Sequence, residues 1–207
     1  MSDALIAAMA VILAALLAAL LSYMQARRLQ RSQARLERLN AQLEELYGPL
    51  YATLEASRIA YSRFLDKLRP GSSSLFFDPG SPPASNEELR LFRQWIETVS
   101  HPRATRAYEL IITRAHLLIE DEMPACLLQF CAHKAGYDVV TQKWKHRDFS
   151  EHLSVVRHPG EELYNYLRQS FTWLKREQIR ELATAQGKGF IWARPLKRSS
   201  PAAKDQA

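Results

Sequence analysis

ALIAAMAVILAALLAALL, residues 4–21, contains no polar side chain, and Ser22, Tyr23 and Met24 carry the run to about 20 residues, enough helix to cross about 30 Å of hydrocarbon. Its large side chains are Leu5, Ile6, Val11, Ile12, Leu13, Leu16, Leu17, Leu20 and Leu21. A cleaved secretory signal has a basic start, a shorter apolar core and a small-residue cleavage site. No Lys or Arg precedes this run, and no good cleavage site follows it. The mean hydropathy of the whole chain is −0.28, so the remainder is polar enough for water. Residues 1–24 are therefore expected to form a retained signal anchor that meets membrane lipid through one span.

Charge on the two flanks sets the expected orientation. Only Asp3 precedes the span, whereas Arg27, Arg28, Arg31, Arg35 and Arg38 crowd its C-terminal side. The positive-inside rule then places the N-terminus outside and the bulk of the chain in the cytoplasm. Cys126 and Cys131 agree, because two cysteines five apart in a helix make no disulfide framework and suit a reducing compartment. Ala10, Ala14 and Ala18 form a small-residue row on the span.

Beyond the span, residues 25–48 read as a helical stalk. Leu29, Leu36, Leu43 and Leu50 recur every seven residues, with Leu39 and Leu46 between them, the seam of a short parallel coiled coil. Two readings stay open: the stripe pairs with a second copy, or it packs on the protein's own domain. Gly48-Pro49 breaks the pattern, because proline lacks the N–H and clashes with the preceding turn, so a bend or a helix restart is expected there.

Residues 49–185 read as an all-α cytoplasmic bundle of about five helices, with an irregular Pro-, Gly- and Ser-rich loop at 69–85 whose large apolar residues are Phe76 and Phe77. Ser85 with Glu88 makes a capping box, and Pro102, Pro124 and Pro159 each mark a helix start. The Pro102 helix is expected to continue through Ile112 to Ile119. The Pro124 helix carries the stripe Cys126, Phe130, His133, Tyr137, Val140 and Trp144, and the last helix is expected to bury Leu163, Leu167, Phe171, Leu174 and Leu182. No segment shows the period-two alternation of a strand. Residues 186–207 read as a flexible basic tail with Phe190, Ile191 and Trp192.

The chain holds 207 residues, 47% hydrophobic and 24% charged, which bounds it at one modest domain plus accessories and excludes collagen-like and wholly disordered chains. Hydrolase, nucleotide-loop and zincin motifs do not occur, and no catalytic residue or cofactor is assigned. A ligand or metal pocket, as an alternative, would draw on His116 and Glu120 at helical i,i+4 spacing, with His133 and Trp144 from the next helix. The net charge of +6 lies largely beside the span and in the tail, so attachment to anionic lipid or nucleic acid through the basic tail is a second alternative, although no base-reading motif supports a nucleic-acid partner.

Four segments carry a resemblance: LYGPLY (46–51), HLLIEDEMPACLLQFCAHKAGYDVV (116–140), DFSEH (148–152) after Trp144, and HPGEELYNYLRQSF (158–171). Together they resemble a family of small, uncharacterised bacterial single-span membrane proteins with a helical cytoplasmic domain, over most of the region from Leu46 to Leu182. The resemblance implies a protein of the bacterial inner membrane and implies no reaction. The expected role is that of a non-enzymatic interaction or scaffold module with a protein partner, span and stalk promoting a homodimer.

Overall fold

The computed structural model describes residues 2–70, 77 and 81–185, without the side chains of 2–5, 10 and 185. Most of the expected loop (71–76 and 78–80, Phe76 included), the tail with Phe190, Ile191 and Trp192, and the side chain of Leu5 lie outside the described residues. All regular structure among the described residues is helical: α1 (Ser2–Ala41), α2 (Gly48–Leu68), α3 (Asn86–Trp95), α4 (His101–Thr113), α5 (Ala125–Lys145) and α6 (Glu161–Ala185). The chain divides into two units, one of residues 1–33 with 179–207 and a compact one of Ala34–Gln178.

The first unit holds the apolar part of α1. It is the one helix among the described residues long and apolar enough to cross a membrane. Ile6, Val11, Ile12, Leu13, Leu16, Leu17, Leu20 and Leu21 are each more than half exposed, an aliphatic surface that water disfavours and a lipid interior accepts. Arg27 lays its guanidinium over the Tyr23 ring at 5.2 Å, where the aliphatic run gives way to charge.

Two of the expected helix breaks are not breaks. The chain stays helical across Gly48-Pro49 and across His101-Pro102, because a π turn precedes each proline: Gln42–Tyr47 before Pro49 and Ile96–Ser100 before Pro102. In an α-register the proline ring collides with the carbonyl four residues back. Here those carbonyls, of Glu45 and Thr98, lie inside the widened turns. The residue before each proline bonds five back instead, Gly48 N–H to Leu43 O and His101 N–H to Ile96 O. The expected fifth helix of the domain thus merges with its predecessor, leaving four continuous helical stretches among the described residues.

At its other end the Pro102 helix is shorter than expected. It ends at Thr113 and passes into a 3₁₀ turn, Ala115–Leu117. Ile112 is exposed, whereas Ala107 and Ile111 face inward. The capping box at Ser85 is present, Ser85 Oγ accepting from Glu88 N–H and the Glu88 carboxylate accepting from Ser85 N–H. Arg69, 2.7 Å away, and that N–H together push the Glu88 carboxyl down to about 2.

The compact unit has two apolar centres. The larger gathers Leu39, Leu43, Leu46, Tyr47, Leu50 and Leu54 with Ile111, Leu127, Phe130, Leu163, Leu167 and Leu174. Stalk leucines 39, 43 and 46 are therefore core residues of their own domain. Adjacent pairs, Gln42 with Leu43 and Leu46 with Tyr47, are both buried because the π turn widens the inward face. Leu29 is exposed, Leu36 half-buried, and Leu182, expected inside, is exposed. The smaller centre joins Phe92, Ile96, Val140 and Trp144, with the Phe77 ring edge-on to Phe92 at 5.2 Å.

Candidate functional site

Helix α5 begins after Pro124 and ends in a turn that reverses the chain. Arg147 adopts a left-handed conformation (φ 63°) and donates to Trp144 O, while Asp148 N–H reaches back to Lys143 O, the paired bonds of a Schellman cap. Glycine is the usual occupant of that position, since a side chain there costs about 1–2 kcal/mol. Arg147→Gly should therefore raise stability by about 1 kcal/mol, read as a later midpoint in chemical unfolding of the full chain. Asp148 then accepts from Ser150 N–H and Oγ at 3.0 and 2.6 Å, which fixes the first step of the returning segment.

The returning segment, residues 147–160, lies along α5 as an extended strap. With no neighbouring strand, its carbonyls need other donors, and one face of α5 supplies them. Trp144 Nε1 donates to Glu151 O at 2.7 Å and Tyr137 Oη to His152 O at 3.4 Å. His133 Nδ1 donates to Val156 O at 2.6 Å, and Gln129 Nε2 to Arg157 O at 3.0 Å. Lys143 pairs with Glu151 at 2.9 Å. Gly136 lets the strap come close, since a Cβ there would collide with Ser154 Oγ. The outcome is a polar ladder beneath and an aliphatic edge above, with Val155 90% and Leu153 47% exposed. Phe149 is also exposed, its ring under the Arg93 guanidinium at 4.2 Å.

Partners fix the tautomers of three histidines at this strap. A carbonyl only accepts, so His133 carries its proton on Nδ1. Gly160 N–H only donates, 2.9 Å from His158 Nδ1, and Arg93 Nη1 only donates, 3.0 Å from His152 Nε2, so both of these nitrogens are bare. The His133 and His158 rings meet edge to face at 5.0 Å. Burial, with His133 beside it, pushes His158 down to about 4. Burial likewise lowers His133, and burial with Arg93 lowers His152.

A second network holds the 3₁₀ turn. Gln42 Nε2 donates to Leu117 O at 3.0 Å, and Ile119 N–H donates to Tyr47 Oη at 3.1 Å. Tyr47 Oη lies 2.9 Å from Tyr166 Oη, which donates to the Glu120 carboxylate at 2.9 Å. Burial raises the Tyr47 hydroxyl to about 12, so this chain stays protonated and serves to join the α1–α2 π turn to α6. Tyr51 stacks on Phe171 at 5.3 Å beside it. The LYGPLY segment is thus packing and hydrogen bonding throughout.

The four residues of the ligand alternative do not form one pocket. His116 is exposed on the 3₁₀ turn, and Glu120 lies beyond that turn, so the helical spacing that would have aimed them at one metal is absent. Glu120 belongs to the tyrosine network of the larger centre, whereas His133 and Trp144 are ladder donors, Trp144 in the smaller one. Among the described residues no group of three His, Cys, Asp or Glu side chains is placed to hold a metal ion. Of the basic flank, Arg35 pairs with Glu177 at 2.9 Å, a carboxylate only 5% exposed. Sequence reasoning missed His152, His158, Gln129 and Arg93; the spacing of Gln129, His133 and Tyr137, donors four apart on one face, was the available signal. Compared with known proteins, the chain matches no family model, no curated protein and no solved structure.

Proposed function

We propose that the protein is a single-span protein of the bacterial inner membrane, N-terminus outside, whose cytoplasmic helical domain is a protein-interaction module. The span and basic flank support the topology, and the resemblance of the LYGPLY, HLLIEDEMPACLLQF and HPGEELYNYLRQSF segments supports the setting. The observation that carries the interaction reading is the strap: four side-chain hydrogen bonds and an ion pair hold an edge on which Leu153 and Val155 face water. An apolar edge fixed outward in this way suits an apolar-faced protein partner. Pairing of two copies, if the stalk contributes, falls to the span and Leu29, because Leu39, Leu43 and Leu46 are committed to their own core.

A membrane-impermeant amine crosslinker, applied to intact cells and to inverted vesicles and followed by mass spectrometry, tests both parts. A stoichiometric adduct is expected in inverted vesicles alone, lost in Leu153→Asp/Val155→Asp. Capture from intact cells would reverse the topology, and capture unaffected by the double variant would remove the strap from the interface.

A further inference from the structure

We infer that the 147–160 strap is an acid-released cover, leaving α5 when His152 and His158 take up protons while the helices stay folded. This concerns the strap of the interaction reading, yet it needs no partner and is tested without one. What carries it is the use to which each ring nitrogen is put. His152 Nε2 accepts from Arg93 at 3.0 Å, so a proton there would set two cations face to face. His158 Nδ1 accepts from Gly160 N–H at 2.9 Å, and a proton there would turn an acceptor into a second donor. At His152 the proton removes a tie of the strap to α3; at His158 it breaks a turn inside the strap and places charge on a ring packed against Phe130 and His133 of α5.

The charged neighbours do not relieve this. His152 faces Arg93 from α3, with the rings of Trp144 and Phe77 around it, and the nearby Glu151 carboxylate is engaged by Lys143. His158 faces His133 of α5, Phe130, and Tyr164 of α6, over whose ring Arg58 of α2 lies at 5.6 Å; of the two carboxylates near that ring, Glu55 is engaged by Arg58 at 2.7 Å, and neither it nor Glu161 is hydrogen-bonded to His158. Among the described residues no carboxylate is hydrogen-bonded to His133, His152 or His158. His101 provides the contrast: its Nε2 meets Asp138 Oδ1 at 2.8 Å, the carboxylate partner that His152 and His158 lack.

Burial lowers all three strap histidines, His158 to about 4. Between the ordinary value near 6.5 and that level the released strap binds protons that the seated strap does not. Seating is therefore complete above about pH 6.5 and lost progressively as pH falls through the window.

The test is hydroxyl-radical footprinting of the full-length protein in lipid nanodiscs between pH 7.5 and 5. Trp144, 4% exposed under the strap, is compared with Trp173, 46% exposed, as internal reference, and with fully buried Tyr47 as a monitor of the core. The oxidation ratio of Trp144 to Trp173 should rise roughly tenfold at pH 5 while Tyr47 stays protected, and return when pH is restored before labelling. His152→Gln/His158→Asn, which keeps an acceptor at each place and cannot be protonated, should abolish the rise. An unchanged ratio, a parallel loss of Tyr47 protection, or the same rise in the double variant overturns the inference. Should that variant not fold, ring-proton titration of the wild type decides. His152 and His158 must titrate with the Trp144 change, and titration more than about one pH unit from it refutes the coupling.

Discussion

Gly48→Ala is expected to destabilise the compact unit by about 3 kcal/mol, far more than alanine for glycine costs at an ordinary helical site. An ideal Cβ on Gly48 runs into the Leu43 carbonyl oxygen, the same oxygen that accepts the Gly48 N–H across the π turn. Backbone rather than a flexible side-chain tip is in the way, so relief requires the turn itself to open or revert to an α-register. Reversion removes one residue from the turn and rotates the preceding helix by about 100° relative to the core. Leu39 and Leu43 would leave the larger centre, and Gln42 would lose the Leu117 and Leu118 carbonyls. Chemical unfolding of the full chain in detergent, followed by helical circular dichroism, measures this. Pro49→Ala restores an N–H and removes a ring without touching that oxygen, and should cost less than about 1 kcal/mol. Equal losses in the two variants would show that the π turn is incidental to the core.

That turn also marks where reading the chain succeeded and where it stopped. The long apolar N-terminal helix, the Ser85 capping box and the start of α5 after Pro124 follow from local chemistry alone, and each stands where the residues put it. The prolines at 49 and 102 were read by a rule that assumes an α-register, and a π turn before each removes the assumption. The leucine seam suited either of two partners because a heptad stripe says only that something apolar must cover it. Leu39, Leu43 and Leu46 are covered by α6 and its neighbours, a long-range fact that no local pattern encodes. Pro159 marks a helix start in the sequence, and that local signal says nothing of His158 before it. The role of His158 comes from Gly160 two residues on and from His133 on another helix, and the latter contact exists only once the strap has folded back.

Trp144→Ala is the second large effect, with an expected loss of about 4 kcal/mol, because it empties a nearly buried indole from the smaller centre, whose buried side chains among the described residues are Phe92, Ile96, Val140 and Trp144 itself. The indole is the largest side chain of that centre, and the half-buried Tyr61, Leu65, Leu89 and Tyr137 packed around it would be left bordering the space, which places the cost toward the upper part of the usual range for a large aromatic. The indole is also the first donor of the ladder, and Trp144→Phe separates the two contributions: it retains most of the ring but not the bond to Glu151 O. That variant should lose about 1–2 kcal/mol. At neutral pH it should also loosen the start of the strap, since the ties that then remain there among the described residues are Lys143 to Glu151, Tyr137 to His152 and Arg93 to His152. Trypsin cleavage after Arg147 and Arg157, compared with cleavage at Arg106 within α4, measures the release. Faster cutting at the two strap sites alone assigns the indole bond to seating. Unchanged cutting together with unchanged stability would reduce Trp144 to packing and shift the strap's attachment to His133 and Gln129.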